Sequence, residues 1–356
     1  MSVTPTLLAL VLPAAHAGTW TPTSDLPNTK MSASMASFGD GRVAYLGGSS
    51  VNALSHSYVP GHQKAASVGG GPFKSGFLFD SRTKAWTSLP DMTQPRDMPG
   101  TCVITGATGS KTLYAFGGAI AFPTPPNTTM TITDTVEMLA FGSDGQPANA
   151  WKPAKSLPSA RTSPSVTSLA DGSGCIIAAG FSVGGPYGFQ YLSDAYLFDG
   201  SAYKQLPDLA YGRSNMGIAA TGDGVYVIGG GAHDPSYYNV SYLQLTPTVG
   251  AWREVMPLNY ARSFAMVATL SDPKGGGDKI VAAGGMSLIP FFDPMGSVEV
   301  YSPKEDKWTL VDDGEPGSLP SAIGFGSGAA LNATHMLVAG GVGQGTSGTE
   351  ALIFHL

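Results

Sequence analysis

One cation recurs in a fixed setting along this chain. Arg96, Arg161, Arg213 and Arg262 each follow a Leu-Pro or Met-Pro step within a few residues. Lys30 holds the same place before them, and Ile323 holds it once after them. The planar fork of Arg suits carboxylate, phosphate or sugar oxygens. One reading makes these arginines ligand-binding groups. The other has each donating to carbonyls of its own repeat. Aromatic groups in nearby Gly-rich and Pro-rich stretches, among them Tyr187, Tyr237 and Phe291, would wall a pocket for a ring or a peptide. Asp97, His233 and Asp234 are the candidates for acid/base catalysis. His56 and His62 with His233 are the candidate metal ligands, although no spacing fixes them as a set.

What positions these residues is a repeat. An apolar run ending in a Gly doublet recurs at Val43–Gly48, Leu113–Gly118, Val225–Gly230, Ile280–Gly285 and Met336–Gly341. A variant copy, Ile176–Gly180, has Phe181 where a second Gly is expected. After each doublet but the last comes an aromatic residue and then Leu/Met-Pro: Trp86, Trp151, Tyr203, Trp252, Trp308. The missing member is Trp20, with Leu26-Pro27. The first segment should therefore supply the outer strand of the last unit and close a ring, removing the open edge. Between marks the pattern is four short strands with Gly, Asp and Pro turns. With strands a to d running outward from an axis, d–a links and b–c turns open on one face, and the cations and aromatics collect there.

The Gly-Gly, aromatic and Trp marks together resemble the Kelch repeat, over residues 20 to 356. The resemblance implies an all-β, six-bladed propeller with an axial channel, and no particular activity. Copper-radical oxidases of the galactose oxidase type need a Tyr–Cys pair and two His ligands that are not visible here. The iron-linked run of nitrile-specifier proteins is also missing. The plan is similar to that of exported N-acetylneuraminate epimerases, with Pro95-Arg96-Asp97 as a short local match.

Charge and composition narrow the rest. The formal charge is −6, which argues against nucleic acid, and no segment is long and apolar enough for a bilayer. Residues 1–17 read as an export signal, with Leu7–Leu12 as apolar core and Ala15-His16-Ala17 as cleavage site. Residues 18–356 then form one propeller. Cys102 and Cys175 sit in strand-like runs and read either as two thiols or as one disulfide. Sequons begin at Asn127, Asn239 and Asn332. The expectation is an exported binding protein without a cofactor, taking a small molecule such as a sugar, or a protein or peptide. The alternative is a sugar mutarotase or epimerase. Oligomeric state is not written in the sequence.

Overall fold

The strand runs are apolar at successive positions, so both faces of each sheet must be covered. The computed structural model describes residues 18–50, 70–122, 130–184, 188–232, 237–287, 293–311, 318–343 and 346–356. Among them are six four-stranded antiparallel sheets and no helix. No helix there is long and apolar enough to cross a membrane. From the axis outward, blade 1 is Ser34–Ser37, Arg42–Leu46, Gly76–Asp80 and Ala85–Ser88. Blade 2 is Gly100–Thr105, Lys111–Phe116, Val136–Phe141 and Lys152–Ala154. Blade 3 is Ser165–Ser168, Cys175–Val183, Phe189–Phe198 and Tyr203–Leu206. Blade 4 is Gly217–Ala220, Gly224–Ile228, Val240–Gln244 and Arg253–Val255. Blade 5 is Met266–Ser271, Asp278–Ala283, Val298–Ser302 and Lys307–Val311. Blade 6 is Ser327–Ala330, His335–Ala339, Ala351–His355 and, as its outer strand, Thr19–Pro22. The ring closure expected from Trp20 is present, with Trp20 opposite Phe354.

The strand period of two assigns alternate residues to the two neighbouring blades. Val43 and Tyr45 pack against blade 6, while Ala44 and Leu46 pack against blade 2. Each large apolar cluster lies between two blades, as Cys102, Tyr114 and Phe116 of blade 2 do with Ile177 and Phe198 of blade 3. At roughly 1.5–3 kcal/mol for each large side chain taken out of water, these six seams carry most of the stabilisation.

The outer aromatics reach backwards. Trp86 donates to the Ser24 carbonyl at 2.8 Å, Trp151 to Pro90 at 2.8 Å, Trp252 to Pro207 at 2.7 Å and Trp308 to Met256 at 2.9 Å. Each acceptor is in the link that leaves the preceding blade. Tyr203, the substitute in blade 3, makes the equivalent bond from its hydroxyl to Lys155 at 2.9 Å. The aromatic is thus a plate with a polar handle, and an indole or a phenol supplies both.

The Gly doublet is an interblade joint. The second Gly donates to the carbonyl of the cation position in the next blade: Gly48 to Arg96, Gly118 to Arg161, Gly230 to Arg262, Gly285 to Ile323 and Gly341 to Lys30, at 2.8–2.9 Å. At the first Gly φ is positive, and a Cβ on Gly47 would stand 2.3 Å from the Arg96 carbonyl oxygen. In blade 3 the doublet is displaced by one residue from the sequence expectation. Gly180 donates to Arg213 at 3.0 Å, and Ala179, with φ 55°, stands in the first position. Phe181 is the residue after the doublet. A bulge between Ala178 and Gly180 accompanies this exception.

Cys102 and Cys175 form a disulfide between blades 2 and 3, with Cα atoms 6.2 Å apart and neither residue exposed. Closing a loop of 73 residues in the unfolded chain corresponds to about 4 kcal/mol of stabilisation in the chain-entropy account.

Deleting residues 18–27 removes the Trp20–Phe354 ring contact and the Leu26 packing on the blade 6–blade 1 seam. Denaturant titration should show a fall of several kcal/mol or outright aggregation. A soluble truncated chain with an unchanged midpoint would show that the closing strand is dispensable.

Candidate functional site

Each d–a link repeats a three-residue device. Its first residue is the cation position, and all four arginines there are held by their own blade. Arg96 donates to Gly117 O at 2.7 Å and Thr135 O at 3.0 Å, and pairs with Glu137 at 2.8 Å. Arg262 repeats this with Gly284, Ser297 and Glu299. Arg161 binds Ala179 O and both oxygens of Asp194. Arg213 reaches Gly229 O and the Ser241 hydroxyl, which in turn donates to Glu254. All four are fully buried. This corrects the reading of Arg96, Arg161, Arg213 and Arg262 as ligand-binding groups: the guanidinium forks run into the wall and tie the second and third strands together.

The other two blades show what the position tolerates. In blade 6 the cation position is Ile323, and Leu352, paired with Val338, takes the register that Glu299, paired with Ala282, holds in blade 5. Lys30 of blade 1 meets Phe77 at that register, not a carboxylate. Its ammonium is fully buried, donates to the Ser75 carbonyl and hydroxyl, and lies 4.8 Å from the Phe77 ring centroid. Burial pushes its pKa down to about 7, against the pull of Asp91.

The second link residue pairs with the residue after the doublet of its own blade: Met31 with Ser49, Asp97 with Ala119, Thr162 with Phe181, Ser214 with Gly231, Ser263 with Met286, Gly324 with Val342. That ladder brings the d–a links and b–c turns to one face, as the strand order requires. Asp97 is buried here, and burial pushes its carboxyl up to about 7 although Ser49 and the Met98 N–H favour the charged form. Its Oδ1 has no hydrogen-bond partner.

The third link residue is left-handed in every blade: Ser32, Met98, Ser163, Asn215, Phe264 and Phe325, with φ from 49° to 58°. Such a φ is uncommon outside Gly. Here it is held by a belt of backbone bonds. Met98 donates to Ser32, Ser163 to Met98, Phe264 to Asn215 and Ser32 to Phe325, at 2.8–2.9 Å. All six residues line a cavity of about 140 Å³ on the axis. The Ser163 hydroxyl donates to Asn215 Oδ1. On the other side the Phe264 and Phe325 rings lie with centroids 4.1 Å apart. The wall is therefore polar at Ser32, Ser163 and Asn215, and aromatic at blades 5 and 6.

Of the residues singled out from sequence, Asp97 is inside the wall and is not among the cavity-lining residues. Tyr237 is half-buried on the loop face with its ring 5.4 Å from Tyr211. His56, His62, Tyr187, His233, Asp234 and Phe291 lie outside the described residues. Among those described, no cluster of three or more His, Cys, Asp or Glu could hold a metal. The six cavity residues were missed. Their one signal is position, two residues after the cation position of each link, because no residue type is common to the six.

No family model matches the chain. An F-box/kelch-repeat protein of Arabidopsis thaliana is 30% identical over 153 residues, covering 38% of this chain and 34% of that protein. The chain thus matches about a third of the length of this curated relative.

Two measurements test the wall. Arg262→Ala leaves Glu299 buried without its partner and should cost roughly 3–5 kcal/mol by denaturant unfolding. The pair Arg262→Ile with Glu299→Leu copies blade 6 and should recover most of that loss; no recovery would contradict the apolar equivalence. For Asp97, the folded carboxyl keeps its proton between about pH 4 and 7 while the unfolded one, at 3.8, has released it. Its contribution is fully present below about 4 and is lost as pH rises through about 7, roughly 4 kcal/mol in all. Lys30 acts oppositely, adding stability as pH climbs from about 7 to 10.5. Stability against pH should therefore dip near neutrality, and Asp97→Asn should flatten the acid limb alone. An unchanged acid limb in that variant would remove Asp97 from the account.

Proposed function

We propose, from the premise that the chain is a six-bladed β-propeller of the Kelch type, that it is an exported interaction protein. Its partner is a protein segment that crosses the loop face and inserts one apolar or aromatic side chain into the channel mouth. The observation that carries this reading is the axial cavity. Its volume of about 140 Å³ is near the roughly 150 Å³ that accommodates a benzene ring, and well below the ~300–1,000 Å³ of pockets for drug-sized ligands. The Phe264–Phe325 pair offers such a side chain an aromatic wall, and Ser32, Ser163 and Asn215 offer the flanking backbone hydrogen-bonding groups. Further out, the loop face carries exposed Tyr238 and Tyr260 and the tip of the long blade 3 ribbon at Val183. Aromatic anchors with polar surroundings suit protein recognition. The buried disulfide and the signal-like residues 1–17 support export, because disulfides persist in oxidising compartments.

Peptides selected from a displayed random library against the immobilised protein should bind at the mouth. Phe264→Asn removes the ring with a residue that accepts the left-handed backbone. Combined with Asn215→Gly it should weaken binding at least about tenfold, the equivalent of 1.4 kcal/mol. Val249→Ser, on the opposite face, should leave it unchanged. Equal affinity for the double variant would place the partner elsewhere.

A further inference from the structure

Two of the three sequons fall within described residues, and the fold treats them oppositely. Asn239-Val240-Ser241 enters the third strand of blade 4. Ser241 is buried, accepts from Arg213 at 2.6 Å and donates to Glu254 at 2.7 Å. The Asn239 amide nitrogen is itself directed at Glu254, at 3.3 Å. A substituent there would compete with the cation anchor of the blade.

Asn332-Ala333-Thr334 occupies the turn between the first two strands of blade 6, with Asn332 and Ala333 exposed. The Asn332 side chain works through its oxygen alone. Oδ1 accepts from the Thr334 and His335 backbone N–H groups at 2.9 and 3.0 Å, and lies 2.8 Å from His335 Nδ1. Nδ2 has no part in these bonds. A group on that nitrogen can extend into solvent while the oxygen still caps the turn. The turn is at the end of its strand remote from Gly340-Gly341, so it stands on the face away from the loop-face mouth. The buried Cys102–Cys175 disulfide independently fits a folding environment in which such modification takes place.

We propose that Asn332 carries an N-linked oligosaccharide and that Asn239 does not. This rests on the export reading given above. In the transfer, Asn332 Nδ2 forms a bond to the anomeric carbon of a lipid-pyrophosphate-linked oligosaccharide. The carbon–oxygen bond to the pyrophosphate breaks, the lipid pyrophosphate leaves with the electron pair, and the amide nitrogen gives up one proton. The glycan then shields the turn face and leaves the channel mouth open.

The full chain should be secreted from a eukaryotic host, once with its own residues 1–17 and once behind a host leader. Peptide-N-glycosidase in ¹⁸O water followed by peptide mass mapping should show Asn332 converted to labelled Asp, and Asn239 unlabelled. Thr334→Ala should abolish the label at Asn332 while keeping the Asn332 side chain in the turn. Retention of the chain in the cytosol under its own leader, with labelling restored by the host leader, would sink the export reading and keep the acceptor assignment. Secreted, disulfide-bonded protein with Asn332 unlabelled behind the host leader would overturn the proposal, and so would labelling of Asn239 in place of Asn332.

Discussion

The structure hangs on one backbone hydrogen bond made six times. The second residue of each doublet donates its N–H to the carbonyl at the cation position of the next blade, and the bond from Gly341 to Lys30 returns the series to its start. An apolar seam between blades is non-directional and would tolerate sliding. This bond is directional, so it fixes the angle at which one blade follows another. The contact is so close that a Cβ on the first Gly would meet the acceptor carbonyl, and the repeat in the sequence is the trace of that clearance. Blade 3 shows the rule by its exception. Ala179 is accommodated, and the strand carries a bulge beside it.

The cation serves the same joint from the other side. Its carbonyl is the acceptor, and its side chain clamps the two strands that present it. A buried ion pair is a poor source of net stability against an apolar pair of similar size. The chain illustrates this, for Ile323 and Leu352 fill the place taken in blade 5 by Arg262 and Glu299. What the ion pairs add is geometry, since a bidentate or multiply bonded guanidinium holds its link in one position. From that fixed residue the next two follow. One pairs along the doublet strand, and the other is turned left-handed into the belt around the axis. The cavity is thus a by-product of the joint, and only the side chains on the belt are free to differ between blades. Ser32, Met98, Ser163, Asn215, Phe264 and Phe325 differ widely, which gives the mouth its polar and aromatic sides.

Buried titratable groups in the wall reflect the same economy. Lys30 and Asp97 occupy positions that other blades fill with paired or neutral groups. Neither has a full ionic partner, and each has its pKa moved toward neutrality by loss of water. Asp97 was attractive as an acid or base because of its place beside Arg96. Its enclosure, not its chemistry, separates it from the cavity.

The sequence by itself determined the number of blades, the closing strand at Trp20 and the sharing of one face by the links and turns. Each of these follows from local marks, Gly where backbones touch, an aromatic at each outer seam, and strand alternation, and local marks survive in one dimension. It also singled out the cations, but their direction was undetermined. An arginine fork serves a ligand carboxylate or its own blade's carbonyls equally well, and only the position of Glu137, Asp194, Ser241 and Glu299 decided between them. The doublet of blade 3 was misplaced by a residue because Ala179 carries no mark of its left-handed backbone. The pairing of Cys102 with Cys175 needed the distance between two blades. The belt residues were invisible for the same reason: no residue type is common to the six, and what unites them is a backbone conformation imposed by neighbours from other blades. The tertiary structure alone decided which side chains face the axis, and with them the site.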